Sequence, residues 1–212
     1  MTKVYPNANA AAATATVATK SAGNAAVLTV WKKSLLFNCN GFTVYDGMGN
    51  LVFRVDNYMQ GNKGEILLMD AAGKPLLTIR RKRLSLGDNW LVYHGETNVN
   101  PLFSVRKHVH ILNNKCLAQV SPTGDRGTSS LSSNNKNVMY EIEGSYSQRS
   151  CAVYDGRKTC VAEIKKKEAV GGVAFGIDVF RLIVQPEIDT TVAMALVILL
   201  DQMFGSYRRF SS

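Results

Sequence analysis

Over most of the chain, apolar and polar side chains alternate with a period of two, and the alternation stops at short clusters of turn-forming residues. The pattern is plainest in FTVYDGMGNLVFRV, Phe42 to Val55. Two alternating runs there flank Asp46, Gly47, Gly49 and Asn50. The carboxylate and amide bond to local backbone and the glycines accept positive φ, so a hairpin is predicted. The same layout returns from Ile66 to Arg80, from Trp90 to Arg106 and from Cys151 to Lys165, each with an apolar or aromatic pair before the turn. Alternation sets Leu51, Phe53 and Val55 on one face and Val52, Arg54 and Asp56 on the other. It separates Phe180, Leu182 and Val184 from Val179, Arg181 and Ile183 in the same way. Further strands are expected over Val27–Phe37, Val109–Leu112, Leu117–Val120 and Val138–Tyr146, which brings the total to about ten to twelve.

One segment breaks this period. In DTTVAMALVILLDQMFG, Asp189 to Gly205, nine consecutive residues from Val192 to Leu200 carry no polar side chain. Asp189 or Thr190 suits an N-cap, Pro186 closes the strand before it and Gly205 suits the stop, so a helix is predicted from Thr190 to Phe204. At about 1.5 Å per residue it spans about 22 Å, short of the roughly 30 Å of a hydrocarbon layer. Asp201 and Gln202 also fall inside it, and a central carboxylate costs a membrane helix about 2.5 to 3.5 kcal/mol. An apolar run of that length, at about 100° per residue, leaves no polar face for water. The strands must surround it. The expected fold is mainly β, a closed antiparallel sheet with the hydrophobic C-terminal helix threaded through its centre.

Two segments lack either period. Residues 1–26 are rich in Ala, Thr and Asn with almost no large apolar side chain, so they cannot offset the entropy of ordering and are expected to form a flexible tail. The apolar run of a secretory signal is missing, and Thr2 stands where N-myristoylation requires Gly. The acid-free composition keeps a transit peptide as the alternative, against which the lack of Arg counts. SPTGDRGTSSLSSNNKN, residues 121–137, is expected to be a mobile polar loop within one domain, because strands of the same style continue on both sides. A single domain over residues 27–212 is the economical organisation, and a chain of 212 residues buries roughly 70% of its unfolded surface.

Charge then narrows the partners. Lys and Arg number 25 against 16 Asp and Glu, a formal net charge of +9, which favours anionic partners. The four cysteines, Cys39, Cys116, Cys151 and Cys160, have neither zinc-site spacing nor the density of a disulfide framework. With no N-x-S/T acceptor, thiols in a reducing compartment and a cytoplasmic address are expected, with the plasma-membrane surface or the nucleus as further stations.

The segments WKKSLLFNCNGFTVYDGMGNLVFRVDNY (Trp31 to Tyr58), GEILLMDAAGKPLLTIRRKRLSL with the following WLVYHGE, YEIEGSYSQRSCAVYDG and the terminal apolar helix together resemble the plant LURP-one-related family, in order over about residues 27–205. That family is similar to the tubby C-terminal domain and the phospholipid scramblases, whose shared fold is a closed antiparallel barrel of about twelve strands around a central C-terminal helix. The resemblance implies a tubby-like barrel acting as a non-enzymatic binding or adaptor module, linked to plant defence signalling and to phosphoinositides or membrane surfaces. It implies no catalytic residue and no cofactor. The scramblase branch has a palmitoylated Cys-rich segment and a calcium-binding stretch near its helix, and neither pattern stands in this sequence. A membrane-anchored, scramblase-like protein that inserts the terminal helix is the alternative expectation.

The sharpest chemical feature is IRRKRLSL, which sets Arg80, Arg81, Lys82 and Arg83 at a strand end. With Arg106, Lys107, Lys165, Lys166 and Lys167 these are the candidate ligands for an anionic phospholipid headgroup. The blander explanation is that they are solvated strand ends that keep the barrel soluble and blunt its edges. Nuclear import is a third use of such a run. Nucleic acid is disfavoured, since no RRM-like signature is present and no helix is left to enter a groove. His94 is expected in a turn and His108 and His110 on one strand face; without acidic or Cys partners they make no metal site. GDRGTSS lacks the Lys-[ST] ending of a phosphate loop, and GSYS falls short of a nucleophile elbow, so neither catalysis nor a cofactor is expected. Cys39, Cys151 and Cys160 read as small core hydrophobes. The chain is expected to be monomeric, with a protein partner that the sequence does not name.

Overall fold

The computed structural model describes residues 23–36, 39–58, 65–82, 88–108, 115–123, 138–169, 171 and 175–205. Twelve strands and one helix follow in order: β1 (Ala26–Trp31), β2 (Cys39–Tyr45), β3 (Leu51–Tyr58), β4 (Glu65–Asp70), β5 (Pro75–Arg81), β6 (Asn89–His94), β7 (Phe103–Lys107), β8 (Cys116–Pro122), β9 (Tyr140–Ser145), β10 (Ser150–Asp155), β11 (Cys160–Lys166), β12 (Val179–Val184) and α1 (Thr190–Phe204). Each strand pairs antiparallel with its sequence neighbours, and β1 closes the barrel on β12, with Leu28 opposite Leu182 and Val30 opposite Phe180. Closure leaves no sheet edge, as the alternating pattern demanded. Phe53, Val55, Phe180, Leu182 and Val184 all turn inward and are buried.

Helix α1 fills the interior. Every residue from Ala193 to Asp201 is buried, so the strands act as the solvent for its apolar surface. Asp189 caps its start, accepting from the backbone N–H groups of Thr191 at 2.8 Å and Val192 at 3.2 Å. Gly205 ends it, though in an extended conformation (φ −62°, ψ 132°) where a glycine stop suggested the left-handed region. The glycine is required by proximity, since a Cβ there would meet the Asp201 carbonyl oxygen at 2.3 Å. Among the described residues no helix is long and apolar enough to cross a membrane. The surface that lipid insertion would use is already covered by the barrel wall.

The meander fixes two ends. Odd-numbered strands all finish at one end, where even-numbered strands begin; α1 starts after β12 at the opposite end and runs back. We call these the exit end, where α1 finishes, and the entry end.

Three entry-end hairpins share one design. In each, an Asp backbone N–H bonds the carbonyl four residues on (Asp46 to Asn50, Asp70 to Lys74, Asp155 to Thr159). Its carboxylate also accepts from the N–H of that same residue, at 2.8 Å in all three. The residue before it has positive φ: Gly49 at 86°, Gly73 at 88° and Lys158 at 63°. A register shift beside each turn completes a bulged three-residue hairpin. The β6–β7 connection, expected to match them, is instead longer and is tied sideways to β5, where Gly95 N–H donates to Leu76 O at 2.8 Å.

Several predicted boundaries move. Ala26, placed in the tail, opens β1, and the strand expected to reach Phe37 stops at Trp31, where Ser34 turns inward to bond Asp56 at 2.6 Å. Ser121 and Pro122, placed in the polar loop, extend β8, because Ser121 pairs with Ser104 and Pro122 with Phe103. Tyr146, placed on a strand, lies in the turn after β9, with its ring buried. His94 ends β6, one residue before the turn in which it was expected. The Val109–Leu112 strand, His110, most of the 121–137 loop and tail residues 1–22 lie outside the described residues.

Candidate functional site

Strand parity brings most of the predicted basic residues to the exit end. Arg80 and Arg81 finish β5, Lys82 follows, Arg106 and Lys107 finish β7, and Lys165 and Lys166 finish β11 with Lys167 just beyond. They form two groups on separated walls: β5 to β7 are neighbours, whereas β11 lies between β10 and β12, with β1 next beyond β12. Arg83 lies outside the described residues. The end also gathers cations that no sequence motif marks, Lys32 and Lys33 after β1, Lys115 before β8 and Arg149 before β10.

The first group is partly engaged. Arg80 pairs with Glu65 at 3.0 Å and lies 5.7 Å from the Tyr93 ring centroid, while Arg81 pairs with Asp88. Lys107 has the inward parity of Phe103 and Val105 and sits at the rim, where its Nζ donates to Met203 O at 2.9 Å and lies 4.5 Å from the Phe204 ring centroid. It therefore neutralises the negative end of the α1 dipole and serves the fold. Arg106, with the opposite parity, is exposed. In the second group Lys165 pairs with Glu163 at 3.0 Å, Lys166 is exposed, and Lys167 donates to Thr29 Oγ1 at 3.3 Å. Among the described residues, the side chains of Lys82, Arg106 and Lys166 make no ion pair or hydrogen bond.

Below the rim lies a buried polar cluster that no motif announced. Asp201 is 1% exposed, and its Oδ1 accepts from Lys32 Nζ at 2.8 Å and from Tyr146 Oη at 3.1 Å. Arg149, also buried, places its guanidinium 4.2 Å from the Tyr146 ring centroid and 4.4 Å from that of Phe180, and its Nε donates to Ile177 O at 2.8 Å. Burial first, and then the Asp201 charge, push the Tyr146 hydroxyl far above its ordinary value, so it stays protonated. The cluster locks the exit end of α1 to β1 and to the β9–β10 turn. Only the Asp inside an otherwise apolar helix could have signalled it.

A small crevice opens beside this cluster. Strands β3 and β4 pair only at Phe53 with Asp70 and Arg54 with Met69, so they part toward the exit end. The gap is lined by Asn40, Val55, Ile66, Asp201 and Gln202, among others, and holds no more than about one water. It is too small for an organic substrate.

The features of a catalytic or metal site are weak. Among the described residues no group of three His, Cys, Asp or Glu side chains could hold a metal ion. Burial pushes the thiols of Cys116 and Cys151 up to about 11, so neither is a thiolate at neutral pH. Cys151 is buried and Cys160 half-buried, and the side chain of Cys39 lies outside the described residues.

The fold resembles an Arabidopsis thaliana protein solved by X-ray crystallography, with a TM-score of 0.61 at 23% identity over 84% of this chain and 91% of that one. The Arabidopsis protein LURP-one-related 8 is 56% identical over 97% of this chain and 100% of its own length. LURP-one-related 17 from the same plant is 44% identical over 91% of this chain and 90% of its own. With the LURP-one-related family model matching residues 26–201, the chain belongs to the LURP-one-related family.

Proposed function

We propose that this barrel is a non-catalytic binding module whose exit end takes phosphorylated, anionic headgroups at a membrane surface. The observation that carries this is the charge polarity along the barrel axis. At the exit end Lys82, Arg106, Lys166 and their basic neighbours outnumber the acids, whereas at the entry end Asp46, Asp70, Glu96, Asp155 and Asp189 outnumber Lys74, Arg157 and Lys158. Such a distribution orients the protein toward an anionic surface, and each Lys or Arg near that surface contributes about 1 kcal/mol. The adjoining reading, an adaptor in plant defence signalling that works in the cytoplasm or at the plasma membrane, or in the nucleus, rests on the family resemblance. A protein captured by the immobilised chain in defence-induced but not resting plant tissue would support it.

Flotation of the purified chain with vesicles tests the headgroup reading. Recovery should rise when phosphoinositide is added to phosphatidylcholine and should fall steeply with salt. The double variant Lys82→Glu/Arg106→Glu should lose most of that recovery while melting unchanged. Equal recovery from neutral and anionic vesicles would remove the reading.

A further inference from the structure

Five large apolar side chains stand exposed along one side of the exit-end rim. Trp31 closes β1 at 40% exposure, Leu35 and Leu36 follow at 49% and 36%, and Phe175 and Ile177, ahead of β12, stand at 40% and 65%. The two segments are neighbours, because Trp31 is opposite Val179 and Lys32 N–H donates to Asp178 O at 2.7 Å. Lysines are interleaved with them: Lys33 Nζ lies 5.1 Å from the Trp31 ring centroid, Lys167 Nζ lies 5.3 Å from that of Phe175, and Lys165 and Lys166 are exposed on β11. Apolar side chains also stand out at the entry end, at Met48, Val99 and Leu102. The connections that carry them hold Asp46 and Glu96 and no Lys or Arg, whereas beside the exit-end tips Lys33 and Lys165 to Lys167 outnumber Glu168 and Asp178. Apolar tips and cations coincide at the exit end.

We propose that this stretch of rim is a bilayer-inserting edge. Trp31, Leu35, Leu36, Phe175 and Ile177 enter the boundary between headgroups and acyl chains of an anionic phospholipid membrane. Lys33 and Lys165 to Lys167 remain among the headgroups. The inference rests on the headgroup reading above and adds a depth and an orientation to it. Long-range charge attraction alone is reversed by salt, whereas each apolar side chain moved out of water raises partitioning by about tenfold, a gain that salt does not remove. Indole suits the boundary because its ring is apolar and its N–H polar, and lysine stems lie along apolar surface while the ammonium stays wet.

Trp31 reports on this directly, since the chain has 2 Trp and the other, Trp90, is buried in the core. The full chain is mixed with phosphatidylcholine vesicles containing phosphoinositide, with and without brominated acyl chains. The emission should shift to the blue and be quenched by the bromines, and Trp31→Phe should lose both responses. The double variant Leu35→Ala/Ile177→Ala should lower vesicle binding by about a hundredfold, about tenfold for each side chain, with unchanged melting. Binding that leaves Trp31 emission unmoved and is fully reversed at about 0.5 M salt would overturn insertion while the headgroup reading stands. Absence of binding by the wild-type chain would remove both. Full vesicle binding by the double variant, together with loss of a wild-type self-association in sedimentation, would make the patch a protein interface and overturn the proposal.

Discussion

In three of the entry-end connections the chain turns back within residues 46–50, 70–74 and 155–159, and in each turn an aspartate directs its charge at backbone N–H groups two to four residues away. At the exit end, apart from the tight β9–β10 turn at 146–149, the connections run longer, as in 32–38 and 167–178, and the charged groups reach across strands or into solvent. Turns of the first kind satisfy themselves, so they define register and have little left to offer a partner. The exit end divides its cations between holding the helix, as Lys32 and Lys107 do, and standing unengaged, as Lys82, Arg106 and Lys166 do. One end of the molecule therefore sets the fold's register, and the other carries chemistry that the fold does not use.

The largest test of this division is removal of α1. A chain ended after Pro186 loses the occupant of the barrel and should show no cooperative melting transition by circular dichroism. A milder form, Leu196→Ala, empties part of a site that is 1% exposed and should cost about 2–5 kcal/mol. A soluble truncated product with wild-type melting would mean that something other than this helix supports the wall.

Next comes the polar lock. Asp201→Ala leaves the buried Tyr146 hydroxyl without its acceptor and Lys32 without its counter-charge, and should cost about 1–3 kcal/mol in urea unfolding. Asp201→Asn keeps an acceptor for Tyr146 and should cost less than Asp201→Ala. If the two variants unfolded alike, the hydrogen bond would contribute little and the contrast between the ends would need restating.

At the entry end the expected losses are smaller. Gly49 has φ 86°, and a Cβ added there would meet nothing within 4 Å, so Gly49→Ala incurs only the left-handed backbone penalty, about 1 kcal/mol. Gly73→Ala, in the equivalent turn at φ 88°, should match it. Equal effects would confirm that the two turns are one device, and a large excess at either would show a contact that the shared design does not include.

How far these features could be read in advance depended on whether they were local. The helix limits were legible because Asp189 caps and Val192 to Leu200 tolerate no water, and the hairpin turns because Asp and Gly stand at the positions the turn needs. The β8 extension was hidden by its composition. Ser121 and Pro122 look like loop residues, and only pairing with Ser104 and Phe103 makes them strand. The site was legible in pieces, since the runs at Arg80 and Lys165 were visible, but their assembly at one end follows from strand parity in a closed meander. Asp201 lies far in sequence from Tyr146 and Arg149, and no spacing rule joins it to their turn. Trp31 read as a strand residue, and its place on an exposed rim depends on where β1 stops.

The smallest expected effect sharpens the account of the entry-end turns. Hydrogen bonds from Thr159 N–H first, then from Arg157, hold the Asp155 carboxyl below its ordinary value. Those from Asn50, by side chain and then backbone, do the same for Asp46. A carboxyl that binds its proton less readily when folded contributes stability above the unfolded aspartate value of about 3.9, and that contribution fades as pH falls through the lower folded value. Asp155→Asn retains an acceptor for the turn but has nothing to titrate. The variant should melt slightly below wild type near pH 6, and the gap should close as the pH is lowered past 4 toward 2. A gap that stayed constant across that range would mean that the turn depends on the shape of the side chain and not on its charge, and the entry end would then owe its self-sufficiency to geometry alone.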